Sequence, residues 1–346
     1  MTLFPLVAIE PRYGARYADH VVRLDDDVSR TTVAIAPGAG NVAFEMRVNG
    51  RDLLWFPFES IDEFKALAHG RAGVPFLAPW ANRLDEQAFY ANGRRFAFDM
   101  EIGNVRGDIP IHGLLMETDR WQVVDANADE SSAWVTSRLE FFREPLWIKQ
   151  FPFAHAIDMT HRLREGMLEI TTRIENLSAD PMPVAIGFHP YFQLTDSERN
   201  DWRVSIGARR RWCLGPTKMP TGETEAIERI FPDPRAVAIR DYTLDDVFDD
   251  LIRDGEGTAV MSVSGSTQRI DVEFGPNYRS AVVYAPEPAA LRAGGMARPG
   301  DFVCLEPMAG ITNSMNLAHR GLYRDLQYIP PGGRWEERFR IRGSGF

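Results

Sequence analysis

The chain has 346 residues, of which 44% are hydrophobic, 25% charged and 11% aromatic, so a sizeable core can form and disorder is excluded. A net charge of −10 argues against a nucleic-acid partner, which needs clustered Lys and Arg. Cys213 and Cys304 stand far apart, which suggests neither a disulfide framework nor a CxxC metal or redox site. No apolar run reaches the ~20 residues that span a bilayer. The opening "MTLFPLVAIEPRYGARYADH" lacks a basic segment followed by a sustained apolar stretch, so a cytoplasmic protein without membrane contact is expected.

In chain order, "TTVAIAP", "NVAFEMRVNG", "AFYANGRRFAF", "SAWVTSRLEFF", "HAIDMTHRLREGMLEITTRIEN", "RIDVEFGP" and "SAVVYAP" read as strands, many alternating apolar with polar. "VNGRD", "ANGRR" and "REGML" place Asn-Gly or Gly where hairpins require positive φ. Helical signals are few. "SIDEFKALAHG" has Ser60 as N-cap, Glu63 completing a capping box and Gly70 as the stop; "LDDVFDDLIRDG" is a candidate for one or two helical turns. Arg209–Arg211 reads as a solvated turn, and residues 214–235, rich in Pro, Gly and Thr, as an excursion. The expectation is an all-β, mainly antiparallel sandwich with a few short helices, forming one domain over residues 1–346.

Within this frame a few residues carry chemistry. In "VAIGFHPYF", Pro190 forces His189 into extended backbone and removes a ladder donor, which suggests an edge, a bulge or an opening. His189 and Tyr191 then share one face, with Phe188 and Phe192 on the other. Alone, such a histidine reads as a satisfied core residue. Glu306 in "FVCLEPMAG" occupies a matching position, after an apolar run and before proline, and a buried glutamate needs a partner or a function. His112 precedes a glycine in "IPIHGLL". Arg83 in "PWANRLDE" suits hydroxyl or carboxylate oxygens, with an ion pair to Asp85 or Glu86 as its structural alternative. Asp245 in "YTLDDVF" is open to the same two readings.

The ordered motifs "ANRL", "IHGLL", "GFHPYFQL", "MPTGE", "LDDVF", "CLEP" and "YIPPGGRWEERFRI" resemble those of aldose 1-epimerases, the galactose mutarotase superfamily, over nearly the whole chain. The resemblance implies a large antiparallel β-sandwich with a monosaccharide cleft across one sheet. Carried over by position, it makes His189 the general acid and Glu306 the general base. Asn82, Arg83, His112 and Asp245 would hold sugar hydroxyls, and Tyr191 would line the cleft. Anomer exchange moves one proton off the C1 hydroxyl and another onto the ring oxygen, so one base and one acid suffice, with neither metal nor cofactor. An ionised Glu306 beside a protonated His189 gives an expected bell-shaped activity around neutral pH.

The chain departs from the strict galactose mutarotase pattern at Gly187, Phe188 and "HGLL", which marks a divergent branch. A related branch acting on hexose 6-phosphates has arginine where this chain has Met116, so an unphosphorylated aldose is favoured, although Arg120 or Arg106 offers a substitute cation. The alternatives are a hexose-6-phosphate 1-epimerase, a non-catalytic sugar-binding protein on the same scaffold, and a metal site of His112, His189 and Glu306. A glycosidase needs two facing carboxylates, and only one is well placed. Oligomeric state is not legible.

Overall fold

The computed structural model describes residues 12–18, 20–67, 70–287, 291 and 300–346. Within them, three antiparallel sheets account for most of the secondary structure. Five strands (Tyr13–Ala18, Val21–Asp26, Thr31–Ala36, Val42–Val48, Arg51–Asp52) form a meander in sequence order. A nine-stranded sheet has at its centre Ala133–Glu140, His155–Arg164, Met167–Asn176, Arg334–Ser344 and Arg269–Phe274. An eight-stranded sheet contains, as successive neighbours, Ala208–Leu214, Leu244–Leu251, Ser280–Ala285, Val303–Met308, Gly187–Phe188 and Phe76–Leu77, with Tyr191–Phe192 also paired to Val303–Met308.

The hairpins form where sequence chemistry demands. Asn49-Gly50, Asn92-Gly93 and Glu165-Gly166 all take positive φ in both turn residues, the type I′ geometry whose twist matches that of the flanking strands. The first helix is Ile61–Leu67. Ser60 caps its start as the sequence predicts, its hydroxyl accepting the Glu63 N–H at 3.1 Å, while the Glu63 carboxylate reaches back past the N-cap to the Glu59 N–H at 2.8 Å.

One hydrophobic core runs between the sheets. Phe188 and Phe76 pack together at 4.9 Å, and Phe188 meets Phe339 of the nine-stranded sheet at 4.7 Å between ring centroids. The all-β expectation therefore holds, as do all the quoted strands.

Two local readings do not. Leu244–Leu251 is a strand, not a helix. Its apolar residues Leu244, Val247, Phe248 and Leu251 have helical spacing, but pairing with Ala208–Leu214 and Ser280–Ala285 on either side makes the segment a strand that buries Leu244 and Phe248 in the main core and Val247 on the other side. Arg209–Arg211 is not a solvated turn but part of the Ala208–Leu214 strand. Its three guanidiniums meet Asp250 at 3.2 Å, Asp249 at 3.2 Å and Asp246 at 2.6 Å on the adjacent strand. The 214–235 excursion contributes Pro220–Ala226 as the outer strand of the eight-stranded sheet. Among the described residues no helix is long and apolar enough to cross a membrane.

Candidate active site

The site begins with strand register. Gly187 pairs with Met308 and Tyr191 with Cys304, so the register continues through the break at His189-Pro190 and sets His189 opposite Glu306. Side chains opposite one another on one face of a sheet come within reach, and His189 Nε2 lies 3.2 Å from Glu306 Oε1. The strand is not an edge. The His189 N–H donates to the Pro75 carbonyl at 3.1 Å and the Tyr191 N–H to that of Gly73 at 2.8 Å; Pro190 marks a break between two short strands with neighbours on both sides. Glycine suits position 187, because a Cβ would stand 2.9 Å from the Pro307 carbonyl oxygen as well as 2.2 Å from Met308 Sδ.

The alternation expected at "GFHPYF" is present. Phe188 and Phe192 point into the core, whereas the Tyr191 ring stacks on His189 at 4.7 Å and 18°. The next strand extends the surface. Val282 lies opposite Glu306 and Tyr284 opposite Cys304, and beyond Tyr284 comes Asp245. Two adjacent rows thus run across the sheet: Tyr191, Cys304, Tyr284 and Asp245 in one, His189, Glu306, Val282 and Val247 in the other.

A second structure closes the site from above. Asn82 (φ 57°) and His112 (φ 59°) both adopt the left-handed conformation, uncommon outside glycine, and they tie two loops together. The His112 N–H donates to the Asn82 carbonyl at 2.9 Å, and the Asn82 N–H donates to His112 Nδ1 at 3.2 Å. The second bond leaves Nε2 as the protonated nitrogen of the neutral ring. Gly113 (φ 68°) allows the loops to meet, since a Cβ there would lie 2.1 Å from the Ala78 carbonyl oxygen. Asn82 Oδ1 accepts from both the backbone N–H and Nη1 of Arg83 at 2.9 Å, which aims the guanidinium at Asp245, 3.5 Å away. The alternative partners of Arg83, Asp85 and Glu86, instead hold Arg320 at 2.7 and 2.5 Å.

All seven singled-out residues, Asn82, Arg83, His112, His189, Tyr191, Asp245 and Glu306, line one cavity of about 790 Å³, a size typical of small-molecule sites. Tyr284, Arg71 and Arg106 line it too. Tyr284 was legible only as part of a strand, because its approach to His189, edge-on at 5.7 Å, depends on pairing with distant segments. Among the described residues no group of His, Cys, Asp or Glu is arranged to hold a metal ion; His112 Nδ1 is occupied by Asn82.

Burial sets the electrostatics. Glu306 is 1% exposed and His189 7%. Loss of water pushes the Glu306 carboxyl well up; Asp245 adds to this and Arg83 opposes it. Burial pushes His189 down to about 3, with the Arg83 charge a smaller contribution. Both directions favour neutral forms. The ion pair and the neutral pair hold the same number of protons and differ by moving one proton along the Nε2–Oε1 contact. Burial thus favours that proton on Glu306, whereas the sequence reading expects an ionised Glu306 beside a protonated His189. His112 is also pushed well below its ordinary value, by burial first, then by His189, Arg83, Arg106 and Arg71.

A family model described as aldose 1-epimerase matches residues 21–342. The chain belongs to the aldose 1-epimerase family. Solved structures share the fold of this epimerase-family chain at low identity. A galactose mutarotase-like protein from Clostridium acetobutylicum superposes with a TM-score of 0.80 at 22% identity, covering 96% of this chain and 98% of that one. An aldose epimerase homologue from C. elegans gives 0.71 at 17%, covering 91% and 96%. A galactose mutarotase related enzyme from Lactobacillus acidophilus gives 0.66 at 16%, covering 96% and 97%. The epimerase-family sandwich is thus common to chains whose sequences have diverged widely.

Proposed function

We propose that this chain is an aldose 1-epimerase that interconverts the α and β anomers of a free aldose by acid–base opening of the ring. The observation that carries the reading is the His189 Nε2 to Glu306 Oε1 approach of 3.2 Å in the wall of a cavity. Opening the hemiacetal requires a proton acceptor at the C1 hydroxyl and a donor at the ring oxygen, and the pair holds one proton between two sites. In the ion-pair form Glu306 is the base and His189 the acid. Arg83 stabilises the carboxylate of that form and opposes its imidazolium, and sugar hydroxyls entering the cavity would add hydrogen bonds to the ion pair. Rotation about C1–C2 and closure on the opposite carbonyl face return both protons, so the enzyme ends as it began.

Arg83, fixed by Asn82 and Asp245, and His112, fixed by Asn82, are assigned to holding sugar hydroxyls so that both transfers have their geometry at once. The Tyr191 ring, stacked on His189, sets the plane of the imidazole. We place all of this on one domain in the cytoplasm, with a monosaccharide as the only partner the mechanism needs. The test is polarimetry on freshly dissolved single anomers of several aldoses. Equilibration should be much faster with enzyme than without, and Glu306→Gln should remove the acceleration; full activity in that variant would overturn the mechanism.

A further inference from the structure

Cationic side chains are rare in the interior of this chain. Among the described residues Arg199 is the only arginine or lysine that is buried, at 5% exposure, and it belongs neither to the acid–base pair nor to the loops that carry Asn82 and His112. Taking a guanidinium out of water is unfavourable, and an apolar side chain of similar size would fill the same space without that penalty. What an apolar side chain cannot do is hold a carbonyl. Arg199 Nη2 donates to the Pro286 carbonyl at 2.8 Å, while its Nε is buried without a hydrogen-bond partner. The charges that favour the cation are those of Glu287 and Asp301, both exposed residues.

The topology brings these groups to one place. Tyr191–Phe192 and Ser280–Ala285 pair with Val303–Met308 from opposite sides and both run antiparallel to it, with Tyr191 and Tyr284 opposite Cys304. Both strands therefore leave the sheet at the end where Val303–Met308 enters it. Three stretches of chain meet there: residues 193–202 after the first strand, Pro286 and Glu287 after the second, and Asp301 and Phe302 ahead of the third. Arg199 lies on the first and grips the second. Its own backbone is anchored away from the cavity. The Asp196 carboxylate accepts the Gln268 N–H at 2.7 Å, next to the Arg269–Phe274 strand, and the Trp202 N–H donates to the Arg199 carbonyl at 3.0 Å with the Trp202 side chain in the main core. The grip bears on the site because Pro286 and Leu291 line the cavity, and the Leu291 N–H donates to the Glu287 carbonyl at 3.2 Å. A hold on the Pro286 carbonyl thus sets one wall of the cavity against a frame fixed to the nine-stranded sheet.

Resting on the epimerase reading, we propose that Arg199 is a positioning residue for the sugar: by holding the Pro286 carbonyl from the chain that follows His189 and Tyr191, it fixes the wall formed by Pro286 and Leu291 relative to the acid–base pair. It meets no reacting atom and moves no proton, so its effect falls on KM and not on kcat.

The test compares Arg199→Met with Arg253→Met. Arg253 also holds carbonyls, those of Gly257 at 2.8 Å and Tyr278 at 2.7 Å, but neither residue lines the cavity. Both variants should unfold at a lower temperature than the parent. Only Arg199→Met should raise KM for mutarotation, by about 10-fold, the size of one charged hydrogen bond, with kcat within about twofold; Arg199→Lys, which keeps a charged donor, should recover part of the loss. Calorimetry with methyl glucosides and galactosides, which cannot mutarotate, should show the same loss in Kd. Should Arg199→Met not fold, the double variant Glu287→Gln with Asp301→Asn keeps the guanidinium, removes its counter-charges and should raise KM about 2- to 5-fold, as expected for exposed charges. An unchanged KM in these variants, an equal rise in Arg253→Met, or a loss confined to kcat overturns the proposal and leaves the epimerase reading standing. Glycoside binding that depends on Arg199 in a parent that does not mutarotate sugars overturns the epimerase reading and keeps the positioning role. A parent that neither mutarotates sugars nor binds glycosides overturns both.

Discussion

The two large sheets bury their residues differently. In the nine-stranded sheet, Ala133–Glu140 alternates strictly between buried and half-exposed, and Met167–Asn176 nearly so, as expected when one face packs and the other meets water. In the eight-stranded sheet, Val303–Met308 is buried at every position and Ser280–Ala285 at all but Tyr284. Its second face is roofed partly by the loops carrying Asn82 and His112 and partly by the apolar cluster of Trp212, Val247, Met308, Ile311 and Tyr323. Among the described residues the roofed sheet floors the cavity of about 790 Å³ that holds His189 and Glu306.

Both sheets also bury histidines. His161 lies among core residues of the nine-stranded sheet, opposite Val135 and Ile170, and burial pushes it down to about 3, as it does His189. His155 is pushed to about 4 and holds the Phe153 carbonyl at 2.7 Å. A shifted histidine is thus a mark of burial alone. What distinguishes His189 is a carboxyl 3.2 Å away and a cavity beside both.

The largest effect should separate the two histidines. Glu306→Gln and His189→Asn are expected to lower mutarotation by on the order of 10²- to 10⁴-fold, with thermal unfolding still cooperative. His161→Leu should keep activity within about twofold, polarimetry serving for all three. Comparable losses in His161→Leu and His189→Asn would mean that both act through the fold.

A smaller effect is expected for the residues proposed to hold substrate. Arg83→Ala and Asp245→Asn remove one side of the 3.5 Å pair and should raise KM about 10-fold, in line with a charged hydrogen bond, with kcat falling less. If kcat alone falls, Arg83 belongs with the proton-transfer groups.

How much of this was legible depended on range. Proline next to His189 fixes extended backbone locally, so the division of "GFHPYF" into a His189-Tyr191 face and a Phe188-Phe192 face followed from sequence. That Arg83 meets Asp245 and not the adjacent Asp85 and Glu86 is set by folding, which gives those two to Arg320. Tyr284 joins the site only because its strand pairs with Leu244–Leu251 on one side and Val303–Met308 on the other. The strand over "LDDVF" was missed because Leu244, Val247, Phe248 and Leu251 have helical spacing, and distant strand partners with their cross-strand arginines decide it.

Burial also revises the expected pH dependence. A bell centred on neutral pH follows from an ordinary histidine, but His189 is pushed to about 3 and Glu306 well above the carboxylate range. Below the lower limit the pair holds two protons and lacks a base; above the upper limit it holds none and lacks an acid. Between them it holds one, and with His189 at about 3 the acid limb lies far below neutrality, so kcat should vary by less than about twofold as pH falls from 7 to 5, a plateau belonging to the pair. A limb near pH 6.5 would show that His189 titrates as if solvated.

The smallest effect at neutral pH is on stability, and it returns to the histidine with no place in the site. His161 has a folded value of about 3 against an ordinary value near 6.5. Between those limits the unfolded chain binds a proton that the folded chain refuses, so folding stability falls as pH drops below about 6.5, by about 1.4 kcal/mol per pH unit per such group once the unfolded imidazole is charged. Replacing it by leucine removes that dependence and leaves no polar atom in place of Nδ1, which is buried without a partner. His161→Leu should therefore match the parent within about 1 kcal/mol at pH 7.5 and exceed it increasingly between pH 6 and 4, as read from urea midpoints. Parallel stability curves for the two proteins across that range would show that the folded chain lets His161 take its proton.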